Sequence, residues 1–217
     1  MLAADEFARL LTTIPEDKFH REGVLEFMRG HKVDAESLAP YVFFSPEHYT
    51  RNLICRTPIF ELIAICWDIG QKSPIHNHCN QECWMAAPIG KVQVHNFKLV
   101  RKDAATRFCA LEPSTHFVID ADSPQQVDPS EPIHLVSNPT PFGARAVTLH
   151  VYSKPYTTCE VYDLKTQRYE VVPLVNTSEY GVLLSPDLQV EKVAPRSVAD
   201  AVSPEGLCDR RDAGSHT

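Results

Sequence analysis

From residue 59 to residue 174 the chain alternates short apolar runs with breaks rich in proline, aspartate and asparagine, and this rhythm leaves few folds open. Residues 59–67 read as a buried strand, closed by Pro58 on one side and by Asp68 and Gly70 on the other. Residues 91–100 alternate, with Val92, Val94, Asn96 and Lys98 on one face and Gln93, His95, Phe97 and Leu99 on the other. Further strand-like runs at 117–119, 133–136, 146–152, 160–162 and 168–174 follow at roughly ten-residue spacing. There are 17 prolines against 8 glycines, which disfavours long uninterrupted helices. An antiparallel sandwich or barrel is the expectation.

The first forty or so residues read differently. Ala3, Phe7, Leu10 and Leu11 recur at helical spacing until Pro15 interrupts. A second helix is expected over 17–30, with Val24, Phe27 and Met28 on one face and Gly30 as its stop. Residues 35–41 add a short helical turn ending near Pro40. Beyond residue 185 the pattern fades, and 203–217 reads as a loose polar tail.

With 21 basic and 28 acidic residues the formal charge is −7, which gives no electrostatic reason to bind nucleic acid or an anionic membrane. No basic segment followed by an apolar stretch opens the chain, and no run of about 18 apolar residues marks a membrane span. The 7 cysteines (55, 66, 79, 83, 109, 159 and 208) show no regular spacing, as expected of free thiols in a reducing cytoplasm.

The chemistry concentrates between Gly70 and Gly90. His76 and His78 are one residue apart, and in a strand such side chains share a face, so both imidazoles reach one metal ion. Five residues separate Gly70 from His76, four separate His78 from Cys83, and six separate Cys83 from Gly90. This resembles the small-barrel pattern of cupins, G-x5-H-x-H-x3/4-E-x6-G, with Cys83 where a cupin places glutamate. Glu82 is the rival occupant, but seven residues part it from Gly90, so Cys83 is read as the inward residue. Cupins supply a further histidine from their second half, often as H-x3-N, and His134 with Asn138 fits. Three neutral imidazoles without a carboxylate suit Fe(II), zinc or copper.

Other segments extend the likeness in order: Tyr49 and Arg51, then Trp67, then the His76 block with Cys83, then His134, and finally Thr148, His150, Tyr152 and Cys159. Together, over roughly residues 40–165, they are similar to the cysteine dioxygenase family, the thiol dioxygenases of the cupin superfamily. The resemblance implies a mainly β cupin (small β-barrel or jelly-roll) in one domain spanning 1–217. A helical cover occupies 1–45, the barrel 46–185, and a partly loose extension 186–217. It implies one Fe(II) per chain on His76, His78 and His134, and oxidation of L-cysteine by O2 to cysteine sulfinic acid. Arg51 would pair with the substrate carboxylate, Tyr49 would line that pocket, and Cys159 would lie near its mouth. Thr148, His150 and Tyr152 would form a relay with Trp67 beside His150, and a thioether would join Cys83 to Tyr152. The enzyme is expected to be a cytoplasmic monomer that engages neither nucleic acid nor membrane.

Two other readings compete: a dioxygenase of another small thiol such as 3-mercaptopropionate or cysteamine, and a non-catalytic metal-binding cupin. Arg51 speaks against the first, and the retention of Arg51, His150 and Tyr152 against the second. The chain departs from the family pattern where Thr148 replaces a serine, where Glu82 precedes Cys83, and across 121–131, which aligns poorly.

Overall fold

The computed structural model describes residues 1–185 and 190–191, so the expected loose tail and Cys208 lie outside the described residues. Thirteen strands follow two helices. Helix α1 (Ala4–Leu11) buries Ala4, Phe7, Ala8 and Leu11, one stripe at helical spacing. Helix α2 (Arg21–Gly30) buries Val24 and Met28. It starts four residues later than position 17, where the sequence pattern places it. The chain instead makes a 3-10 turn over Glu16–Lys18, and Phe19 leaves the helical path with ψ 64°. The Phe19 ring stacks on Phe60 at 5.1 Å and meets Trp84 edge-on at 5.9 Å. That contact ties the helical cover to the sheet beneath and outweighs continuation of the helix.

The strands are β1 (Thr50–Arg56), β2 (Phe60–Trp67), β3 (Ile75–His76), β4 (Cys83–Ile89), β5 (Val92–Asp103), β6 (Phe108–Ile119) and β7 (Gln125–Gln126). They continue with β8 (Ile133–Ser137), β9 (Ala146–Ser153), β10 (Thr158–Asp163), β11 (Arg168–Pro173), β12 (Ser178–Glu179) and β13 (Val182–Leu183). One sheet of seven strands has the order β13-β12-β1-β2-β9-β4-β7. The other six close on themselves as β10-β11-β6-β5-β8-β3. The molecule is therefore mainly β, a cupin barrel with short helices at its N-terminal side.

Strand β2 is buried along its whole length because both of its faces are covered. Leu62, Ala64 and Cys66 face the helices, while Ile63, Ile65 and Trp67 face the second sheet. Strand β9, registered against β2 over eight residue pairs, divides the same way. Val147, Leu149 and Val151 join the helical side, which turns Thr148, His150 and Tyr152 toward the interior. Gly90 turns the chain between β4 and β5 at φ +66°, and a Cβ there would stand 2.5 Å from the Arg145 carbonyl oxygen, so no side chain fits.

Strands β1 and β4 carry no alternation that marks them in the sequence. Strand β1 buries Thr50 and Asn52 against the cover side, held by hydrogen bonds rather than by apolar contact. Strand β4 contains Pro88 and shifts register between Ala86 and Ile89. Strand β6 begins nine residues before the 117–119 run, from which residues 112–116, exposed and without alternation, separate its first four residues.

Candidate metal centre and its facing relay

Strand β3 is only two residues long, and His76 stands opposite both His134 on β8 and Val161 on β10. The chain leaves the strand after His76, so strand spacing does not place His78. It lies between the end of β3 and a turn that follows it, with Cys79 at φ 48° and Asn80 at φ 64°. The three rings converge all the same, with centroids 5.2 Å (His76–His78), 4.7 Å (His76–His134) and 4.8 Å (His78–His134) apart. One nitrogen of each lies within 4.8 Å of the others.

Hydrogen bonding tells which nitrogens are free. The His76 Nδ1–H donates to the Pro74 carbonyl at 3.0 Å, which fixes the ring and leaves Nε2 as the lone-pair atom. His78 Nε2 and both nitrogens of His134 are buried with no hydrogen-bond partner. Buried orphans of this kind are costly unless something else takes the lone pair. Burial pushes His76 down to about 4 and holds His78 and His134 well below the ordinary histidine value, so all three are neutral at pH 7. Neutral imidazoles converging on one point fit a first-row divalent metal with coordination positions left open. Asn138 reaches away from this centre, its amide facing the carbonyls of Trp67, Asp68 and Ala144.

The seven-stranded sheet supplies the facing wall. On β9 the Thr148 hydroxyl lies 2.8 Å from His150 Nε2, and the Tyr152 hydroxyl lies 3.1 Å from His150 Nδ1. The sequence reading sets Trp67 beside His150; its indole N–H donates to Thr148 Oγ1 at 2.9 Å, two residues before His150 on the same strand face. Trp67 stacks on Tyr49 at 4.8 Å. Cys83 on β4 is registered directly opposite Tyr152, fully buried, with Sγ 4.0 Å from His150 Nδ1. Glu82 turns the other way, toward Gln126 at 3.2 Å and Arg21 at 3.9 Å. Burial raises the Cys83 thiol and the Tyr152 phenol, so both are protonated.

Arg51 projects from β1 with its guanidinium carbon 5.8 Å from the Tyr152 ring centre and a buried Nε without a partner. Burial alone would lower its pKa, yet the phenols of Tyr152, Tyr156 and Tyr49 around it leave it above the ordinary value. Among the described residues no carboxylate forms an ion pair with it. Cys159 on β10 is buried, its thiol pushed up to about 11 by burial against the pull of Arg51.

Two members of the site were not singled out from sequence. Tyr156, in the turn between β9 and β10, sets its ring edge-on to Tyr152 at 5.2 Å and lies 6.4 Å from His78, with its hydroxyl in reach of the Tyr152 phenol. Asn77 separates the first two histidines and is bonded to β10. The Pro-Tyr-Thr stretch just before Cys159 was the available signal for the tyrosine; none marked the asparagine.

Among solved structures, the chain is similar to a double-stranded β-helix protein from Klebsiella pneumoniae (TM-score 0.40, 14% identity, covering 56% of this chain and 84% of that one). It is also similar to an RmlC-like cupin protein from Desulfovibrio desulfuricans (TM-score 0.33, 17% identity, covering 53% and 91%). Cysteine dioxygenase type 1 of Homo sapiens is 28% identical over 167 residues, 76% of this chain and 81% of that protein. The Danio rerio protein of the same name is 25% identical over 177 residues, covering 81% and 86%. A model of the family described as cysteine dioxygenase type I matches residues 2–165, and the chain belongs to that family.

Proposed function

We propose that this chain is an iron(II)-dependent dioxygenase that oxidises L-cysteine with O2 to cysteine sulfinic acid. The observation that carries the substrate is Arg51, a half-buried cation whose buried Nε has no partner and which forms no ion pair among the described residues, set beside Tyr152 across from the three histidines. A buried charge without a counter-ion is expensive, so an anionic ligand group is the natural complement. A guanidinium takes a carboxylate bidentately, and Tyr49 and Tyr156 surround the same spot with hydroxyls.

His76, His78 and His134 would hold iron(II), which when bound stabilises a thiolate and supplies the redox chemistry toward O2. Arg51 and Tyr49 orient the substrate by its carboxylate. Tyr152 sets its hydroxyl where a proton can pass to or from the ligand, and His150 and Thr148 hold the phenol in place. Trp67 anchors the far end of that chain through Thr148. Both oxygen atoms end on sulfur, so no external reductant is consumed. Cys83 and Tyr152, facing each other across β4 and β9, would join in a thioether with loss of two hydrogens to O2. Intact mass after many turnovers reads that loss directly, and reductant does not reverse it.

The test is a comparison of two thiols. Arg51→Ala removes a charge-assisted contact of about 2–4 kcal/mol, so kcat/KM for L-cysteine falls on the order of 10²-fold. Cysteamine, which lacks the carboxylate, is affected far less. Equal losses on both thiols would remove Arg51 from substrate binding and reopen 3-mercaptopropionate and other small thiols as substrates.

A further inference from the structure

Outside the cavity, β10 carries a side-chain cluster that reaches back to the turn between His76 and His78. Asn77 Nδ2 donates to Glu160 Oε2 at 2.8 Å and to the Tyr162 hydroxyl at 3.1 Å. Asn77 Oδ1 accepts the backbone N–H of Glu160 at 3.1 Å and that of Cys79 at 3.4 Å. The Asn77 backbone N–H donates to the Glu160 carbonyl at 3.2 Å. Glu160 is completed by the Tyr162 hydroxyl at 2.6 Å and by Lys102 Nζ at 2.5 Å, whose ammonium also stands over the Tyr169 ring at 4.3 Å. The whole side-chain capacity of Asn77 is thus spent on β10 and on its own turn.

What this cluster does follows from the unequal support of the two neighbouring histidines. The His76 ring is anchored by the Pro74 carbonyl. Among the described residues the buried His78 Nε2 has no hydrogen-bond partner, and His78 lies beyond the end of β3. Its direction is therefore set by the backbone on either side of it, with Asn77 paired to β10 before it and a turn after it in which Cys79 and Asn80 both hold positive φ. Side-chain-bearing residues adopt that conformation only when the surroundings impose it.

We propose that Asn77 and Glu160 form a clamp that positions His78, holding the turn so that the His78 imidazole meets those of His76 and His134. Both are positioning residues, acting through His78 without touching metal or substrate. Lys102 and Tyr162 keep the Glu160 carboxylate aimed at Asn77. The inference rests on the three-histidine metal reading but not on the choice of thiol.

The experiment times iron(II) release to a chelator from anaerobically loaded protein. Asn77→Ala is expected to release iron roughly 10–100-fold faster than wild type, the range seen when support of a metal ligand is lost. Asn77→Asp sets two carboxylates face to face and is expected to release it faster still. Combining Asn77→Asp with Glu160→Gln restores one amide–carboxylate pair in the reverse order and should recover much of the lost retention. A general packing role would lower the melting temperature without that rescue. If single and double variants all hold iron as wild type does, or if the double variant is no better than Asn77→Asp alone, the clamp is overturned. Should wild-type protein itself hold no iron, the three-histidine reading falls first and the clamp falls with it.

Discussion

On β9 the relay residues follow one another at strand spacing, on a strand registered with β2 over eight residue pairs and paired with β4 on its other side. The histidines opposite come from a two-residue strand, the connection just beyond it and β8. The two walls meet where the His78 ring stands 5.6 Å from that of Tyr152, yet they obtain their order in different ways. The relay inherits its geometry from the sheet, and its side chains bond to one another. The histidine wall is assembled from pieces that share no continuous strand, and among the described residues His78 Nε2 and both nitrogens of His134 have no hydrogen-bond partner. Changes on the histidine side should therefore cost metal before fold, and changes on the relay side should cost rate before metal.

The largest effect is expected from His134→Ala. Both ring nitrogens are unpartnered, so removing the ring breaks no hydrogen bond, and the fold should survive while bound iron and activity are lost. Stoichiometric iron in that variant, measured after anaerobic loading, would break the comparison at its metal side. Next comes Tyr152→Phe, which keeps the ring and deletes the hydroxyl. Iron should stay bound, and turnover should fall within the roughly 10²–10⁴ range of an acid–base group. Cys83→Ser preserves that hydroxyl and should lose about tenfold, while also abolishing any mass change from crosslinking.

Trp67→Phe sharpens the comparison further. It removes the N–H that holds Thr148 at 2.9 Å, without touching Tyr152. A several-fold fall in kcat at unchanged KM and unchanged iron content is expected, since one neutral hydrogen bond is worth about 1 kcal/mol. The smallest effect concerns acid stability. Burial pushes the Glu160 carboxyl up, but its bonds to Lys102, Tyr162 and Asn77 win and leave it below the ordinary value. A carboxylate lowered on folding stabilises above its unfolded pKa of about 4.3, and that stability is lost as pH falls through the folded value. The stability gap between wild type and Glu160→Gln should therefore be full at neutral pH and close on acidification in a melting series.

The legible and illegible parts of the molecule divide along similar lines. The metal-ligand types and the Gly70–Gly90 frame could be read because each answers to a local demand, an imidazole lone pair or a backbone held at positive φ. Strand β9 could be read because its alternation survives intact. Strand β1 could not, since Arg51 and Asn52 put polar groups on both faces, one for the cavity and one bonded beneath the helices. The late start of α2 was invisible because Phe19 is drawn to Phe60, a partner forty-one positions away. Asn77 and Glu160 lie 83 residues apart and meet only once the second sheet has closed. His78 was foreseen as a strand residue, whereas β3 ends at His76 and His78 lies just beyond it.

The central claim is that the three histidines and Arg51 serve one reaction, oxidation of L-cysteine by O2. It is tested most directly by loading wild-type protein anaerobically with iron(II), adding L-cysteine and a known amount of O2, and measuring oxygen consumed against sulfinic acid formed. The account predicts one O2 taken up per cysteine, with both atoms from labelled O2 recovered in the product. Folded, iron-loaded protein that consumes no oxygen with L-cysteine, or that yields only cystine, would contradict it.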